Sequence, residues 1–383
     1  MRKDGWMRGL KAPDATTDGG HDGDFQTPPR SRRRTVRGMN LSSSLKSLAL
    51  LGAGVVLGLT GCDNERGVLL VGNTRANNVV KLDERTGEYL GEFIPAGSGG
   101  LVAPDNIVVG PDGNVYVASG ETPENSAVLR YDGKTGKFLG TFASGNGLHR
   151  PYGLAFGKDN RLYVASFMSD QLLRFDAKTG AFVDVFAQGN GKSGGLNGPN
   201  GLLFGPDGKL YVTTEGSVAG TFPGLPSQVL RYDTGTGTGE LFIDQPELSP
   251  AGVGYISLLG LAFGPDCDKK GGECDLFVSD YANDVRRYDV GTRTLEATLS
   301  TNYSGVTPST NLVGGLTFGE DARLYTVGFD STEGSGNKGA VLRFNGRTNA
   351  PLPASGQTGA LFVPPDSRLV RPIGITFTHL PRD

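Results

Sequence analysis

The chain has 383 residues, enough for two or three domains, yet 61 of them are Gly and 22 are Pro, spread among short apolar runs. Only 20% are charged and 37% are apolar, which excludes a disordered chain and allows a core. The formal charge of −3 hides an uneven distribution: 27 Lys/Arg and 35 Asp/Glu lie from Cys62 onward, near −8 net. Such a balance excludes nucleic acid or an anionic bilayer surface as the main partner, since both need a positive face.

Residues 1–38 are rich in Arg, Asp, Gly and Pro without apolar periodicity. They read as disordered, or as a misassigned start upstream of Met39. From Met39 a polar stretch with one cation, Lys46, leads into the apolar run Leu48–Leu59. That run has the length of a secretory signal core and is short for a membrane span, which needs about 20 residues. It ends in Leu59-Thr60-Gly61-Cys62, which resembles the lipobox of bacterial lipoproteins. The resemblance implies cleavage before Cys62, acylation of its thiol and a membrane anchor. Residues 39–61 are then the signal peptide and 62–67 a short tether. The expected location is the cell envelope.

The remainder repeats. Asn106–Val117, Gly153–Val164 and Gly201–Val212 share one pattern: an apolar strand, a turn such as Pro-Asp-Gly, and a second strand ending in Tyr-Val. Each is followed by a third strand with a central Arg: Arg130, Arg174 and Arg231. Two further units, weaker in the turn, carry Arg287 and Arg343. Pro presets φ at such turns, Asp closes them and Gly accepts positive φ. Four strands per unit, about every 45–60 residues, read as propeller blades. Residues 68–93 supply three strands without a first, and Arg371–Phe377 supplies a first without the rest. Joined, they make a sixth blade and leave no bare sheet edge. The expected fold is all-β: a six-bladed propeller of four antiparallel strands per blade over 68–377, with a tail at 378–383, expected as a monomer.

At Leu154–Val164 and its equivalents the chain resembles the NHL-repeat propellers, the virginiamycin B lyase-like family and the gluconolactonase (senescence-marker) family. In these families ligands bind around the axis, on the face carrying the loops into each first strand and the second-to-third hairpins. The loops into first strands here supply Asp105, Asn106, His149, Tyr152 and Asn200, and then Leu259, Gly314 and Ile373. The hairpins supply Asn73, Glu121, Ser166, Met168, Glu215, Asp280, Tyr281 and Asp330. The gluconolactonase resemblance implies a divalent ion such as Ca²⁺ on the axis. Asn106 and Asn200 match its two Asn, and Asp105 or Glu215 would have to replace its carboxylates. The lyase resemblance implies a His and Glu near a metal, but His149 has no second His beside it from another blade. The five third-strand arginines recur in every unit and read as scaffold, with ion pairs between blades.

Cys267 and Cys274 flank the turn between the first two strands of one unit, where an oxidising compartment would pair them. A calcium loop through Asp266, Asp268, Glu273 and Asp275 is an alternative, as is zinc on the two thiolates. Longer insertions, Gly216–Ser227 and Asp244–Ser257 among them, add Phe222, Leu225 and Tyr255 for a ligand. Two functions follow. The first is a lipid-anchored binding module for a protein or small ligand. The second is a metal-dependent lactonase-like hydrolase or lyase on the same face. The catalytic residues are not identified at this level.

Overall fold

A computed structural model describes residues 65–216, 224–249, 252, 254–267, 274–334 and 337–382. The signal peptide, Cys62 and the upstream segment lie outside the described residues, as do Phe222, Asp268 and Glu273.

Six antiparallel sheets of four strands stand around one axis. In chain order after the closing blade, the innermost strands are Ile107–Val109, Pro151–Phe156, Pro199–Phe204, Leu258–Phe263 and Asn311–Phe318. The closing blade is assembled from both ends of the chain. Pro372–Pro381 is its inner strand and pairs with Glu65–Asn73, in register from Glu65↔Pro381 through Val71↔Ile375. Asn78–Asp83 and Tyr89–Ile94 complete it. The terminal strands therefore satisfy one another, and the ring has no open edge at its seam.

The blades are glued by aromatic wedges. Tyr116, Tyr163 and Tyr211 occupy the same second-strand position and are fully buried. Tyr116 meets Phe142 of its own blade and Phe156 of the next edge-on, both at 4.9 Å between centroids. Such pairs add to the hydrophobic gain of burial. Each of these tyrosines donates its hydroxyl to the turn aspartate four residues earlier, Asp112, Asp159 or Asp207. One residue of the Pro-Asp-Gly turn thus serves both the hairpin and the core. At the seam Tyr325 donates to Glu84 at 2.8 Å, and Arg323 pairs with the same carboxylate at 3.1 Å.

The third-strand arginines correct one expectation. Most pair within their own blade, not between blades. Arg174 binds Asp184, Arg231 binds Asp207 and Glu240, and Arg287 binds Asp275 and Glu296. Each guanidinium also lies over an aromatic ring of its own blade, as Arg231 does over Phe242 at 4.8 Å. Antiparallel pairing sets this outcome. The neighbouring strands of one sheet lie nearer to a third-strand side chain than the next blade does. Two also reach the next blade: Arg287 donates to the Arg347 carbonyl and Asn349, and Arg343 to the Arg85 carbonyl.

Cys267 and Cys274 are joined as a disulfide, with Cα atoms 4.2 Å apart. It ties the first hairpin of the fifth blade at the place where two other blades have a Pro-Asp-Gly turn.

Candidate functional site

Each inner strand carries one residue that faces the axis, followed by one that faces the next blade. The second position is glycine in most blades because the neighbouring backbone is too close for a side chain. A Cβ on Gly374 would strike the Asp105 carbonyl, and one on Gly201 the Leu259 carbonyl. Asn106 occupies that position in its blade and uses its side chain to bridge the gap. Its Oδ1 accepts the Leu154 N–H at 3.1 Å.

The preceding positions form a ring around the axis: Asp105, Tyr152, Asn200, Leu259, Gly314 and Ile373. Going round, three polar residues are followed by three apolar ones. All but Gly314 line a cavity of about 520 Å³, together with Glu215 and Tyr281 from the second-to-third hairpins. This volume lies in the range of small-molecule sites.

On the polar side Asn200 donates its amide to Glu215 at 2.5 Å. The Asp105 and Glu215 carboxyls line the cavity, enclosed by the blades. Both are pushed up to about 7. Burial is the largest cause in each case. The charge of Glu215 adds to it at Asp105, against Arg150 and Arg371. At Glu215 the Asn200 amide and Arg150 oppose the rise. Carboxyls near this value exchange protons at neutral pH.

On the apolar side Leu259, Ile373 and Phe329 form a buried cluster, with Tyr281 and Leu312 packed on it. The Tyr281 ring meets Phe329 edge-on at 6.3 Å.

Among the wall residues that the sequence did not single out are three arginines, the exposed Arg75 and the partly buried pair Arg150 and Arg371. The pair share one backbone setting. Each directly precedes the proline that opens an inner strand, and each has a left-handed backbone, with φ of 54° and 50°. The equivalent residues Ala103 and Gly198 share this conformation, with φ of 45° and 53°. Glycine adopts it without penalty, while a long side chain before proline is strained there. Hydrogen bonds hold the backbone in place. The Arg150 N–H donates to Ser126 Oγ at 2.8 Å. The Arg371 N–H donates to the Asn337 carbonyl at 3.0 Å, and its own carbonyl accepts from Thr74 Oγ1 at 2.9 Å. The Arg371 guanidinium donates to the Tyr281 hydroxyl at 3.3 Å and lies 5.6 Å from the Phe329 ring. That of Arg150 lies 5.4 Å from the Tyr152 ring. Among the described residues neither guanidinium forms an ion pair. The signal in the sequence was the Arg-Pro dipeptide, twice, where two other blades have Ala-Pro and Gly-Pro.

Glu121, also expected on this face, lines the cavity with its side chain exposed, while several other candidates lie elsewhere. Asp280 is fully buried, paired with Arg286 and accepting the Ser257 N–H. Asp330 caps its own hairpin through Thr332. His149 is half-buried outside the cavity wall, its N–H on Ser166 Oγ at 2.9 Å. His379 is paired within the closing strand opposite Gly67 and meets Glu320 at 3.3 Å.

A hard divalent ion fits this donor set poorly. The Asn106 oxygen is committed to the Leu154 N–H, and Arg150 and Arg371 bring positive charge to the place where the ion would sit. Among the described residues no three His, Cys, Asp or Glu side chains are gathered as a metal group.

No protein-family model matches this chain, and no curated protein matches it by sequence. Solved structures do resemble it. A chain of a nidogen/laminin complex is similar with a TM-score of 0.56 at 13% identity, over 81% of this chain and 98% of that one. A protein of unknown function from Bacteroides caccae gives 0.52 at 14%, over 82% and 98%. Virginiamycin B lyase from Staphylococcus aureus gives 0.45 at 16%, over 71% and 76%. At these identities the first two likenesses agree with the propeller architecture and leave chemistry to the site itself.

Proposed function

We propose that this chain is a binding module, exported and lipid-anchored through Cys62 at the cell envelope, that takes a small anionic ligand into its axial cavity. One observation carries the ligand class: two strained arginines without ion-pair partners among the described residues line a cavity of about 520 Å³. Arg recognises carboxylates and phosphates by charge and by a planar fork of donors. The cavity favours a small ligand over a protein surface, although the propeller in the nidogen/laminin complex shows that this architecture is found in protein assemblies. The Cys267–Cys274 disulfide and the lipobox-like Leu59–Cys62 support export.

The test is calorimetric titration of the full chain with small anions, acetate and gluconate first, against the Arg150→Gln/Arg371→Gln variant. Binding by the parent and loss of about tenfold or more in the variant supports the reading. Equal affinities in both proteins count against it. For the anchor, Cys62→Ala should move the protein from the membrane to the soluble fraction.

A second reading, a hydrolase or lyase, is favoured by the Asp105–Glu215 pair, whose carboxyls lie at about 7 on the axis. General acid–base chemistry needs groups in that range. The donor set favours a reaction without a metal. Unchanged thermal stability in EDTA and no bound metal by elemental analysis are the expected outcomes.

A further inference from the structure

The ring around the axis is divided, and the division has a chemical meaning. Asp105, Tyr152 and Asn200 stand on consecutive blades, and Leu259, Gly314 and Ile373 on the next three. A site for a sugar acid or another fully hydroxylated anion would set hydrogen-bonding groups all round, because each buried hydroxyl needs a partner. Half of this ring has none to offer. Leu259 and Ile373 belong to a buried apolar cluster with Phe329 and still line the cavity.

The arginines sit at the boundary of the two halves. Arg150 opens the strand that carries Tyr152, on the polar side. Arg371 opens the strand that carries Ile373, on the apolar side, beside Phe329 and Tyr281. Both act electrostatically on Asp105, so the charged groups converge there. The charge balance sets the head of a ligand. Three guanidiniums, those of Arg75, Arg150 and Arg371, line the cavity with the three carboxyls of Asp105, Glu121 and Glu215, and a proton on Asp105 or Glu215 leaves a single positive charge to be matched.

We propose that the ligand is an amphipathic carboxylate, its head held between Arg150 and Arg371 and its hydrocarbon tail lodged against Leu259 and Ile373. This rests on the binding reading above and narrows it. The polar half then serves the head and its approach, and the apolar half excludes water from the tail. Neither half alone accounts for the placement of both arginines.

The experiment is calorimetric titration of the full chain at neutral pH with five probes: hexanoate, phenylacetate, acetate, gluconate and benzyl alcohol. Hexanoate and phenylacetate should bind about tenfold or more tighter than acetate and gluconate, from the added apolar contact. Benzyl alcohol, which keeps the ring and lacks the charge, should bind about tenfold weaker than phenylacetate. Leu259→Thr should lower hexanoate affinity about tenfold more than it lowers acetate affinity. Ile373→Thr serves the same purpose if Leu259→Thr does not fold, which its thermal melt will show. Gluconate or acetate binding as tightly as hexanoate overturns the amphipathic ligand and leaves the anion-binding module standing. Benzyl alcohol binding as tightly as phenylacetate overturns the carboxylate head. If none of the four anions binds, the binding module itself falls, and this inference with it.

Discussion

The third strands and the axial ring follow opposite rules. Arg130, Arg174, Arg231, Arg287 and Arg343 recur at one place in five blades, and each lies over an aromatic ring. The axial position instead holds Asp105, Tyr152, Asn200, Leu259, Gly314 and Ile373, no two alike. A residue required by the blade must appear in each blade. A residue required by a ligand need appear only where the ligand touches. Arg150 and Arg371 belong to the second kind although their backbone belongs to the first. The left-handed turn before proline recurs, while the side chain on it does not. Repetition in this molecule marks scaffold, and departure from it marks the site.

The strand Pro372–Pro381 belongs to both regions and offers the largest test. It closes the ring through its pairing with Glu65–Asn73 and carries Ile373 to the axis. Deleting residues 372–383 bares the edge of Glu65–Asn73 and the apolar Val68–Val71. The expected result is loss of the cooperative unfolding transition and aggregation, measured by circular dichroism and size exclusion. A soluble, cooperatively folding product would show that the five remaining blades stand alone.

Next in size is the contrast between two kinds of arginine. Arg150→Gln/Arg371→Gln should cost about 2 kcal/mol or more in binding a small carboxylate, with thermal stability held. Arg231→Gln removes ion pairs to Asp207 and Glu240 and the contact with Phe242. It should lower stability by about 1 kcal/mol and leave affinity unchanged. If Arg231→Gln weakened binding as much as the double variant, the separation of scaffold from site would be broken.

How far the sequence reveals each region follows from the same rule. Fold and ring closure were readable because the turn tripeptides and apolar runs return in register. The unmatched strands at the two ends complete one unit. The axial residues were readable in turn, since register alone places them, and Asp105, Tyr152, Asn200, Glu215 and Tyr281 do line the cavity. The arginines of the wall were hidden. A positive φ before proline leaves no mark in composition, and the neighbouring His149 drew attention as the group with acid–base chemistry. Asp280 shows the opposite failure. Its hairpin position suggests the ligand face, yet its carboxylate is buried on Arg286, a residue six positions along that no periodicity connects to it. Partners decide what a buried carboxylate does, and partners come from packing.

The disulfide sharpens the scaffold side. It stands, in one blade, where two others have a Pro-Asp-Gly turn. Cys267→Ala should free the Cys274 thiol and lower stability by about 2 kcal/mol, the value expected for closing so short a loop. Thiol titration and a melt of the oxidised protein measure both. Two thiols already reactive in the oxidised parent protein would remove the bridge from the account.

The smallest effect concerns Asp105, where scaffold and site pull against each other. Its carboxyl is raised from 3.8 to about 7, so between these values the folded protein binds a proton that the unfolded chain has released. Stability from this group is complete below about pH 4 and is lost as pH rises through about 7, because ionising the enclosed acid costs more than it returns. Asp105→Asn removes the cost while keeping the shape. The variant should match the parent near pH 4.5 and melt about 2 °C higher at pH 8. It should also bind hexanoate more tightly at pH 8, where the parent must first take up a proton to relieve its negative charge near the ligand head. A parent and variant with parallel melting curves across this range would mean that Asp105 is ionised throughout. The single positive charge assigned to the cavity would then rest on a protonated Glu215 and not on Asp105.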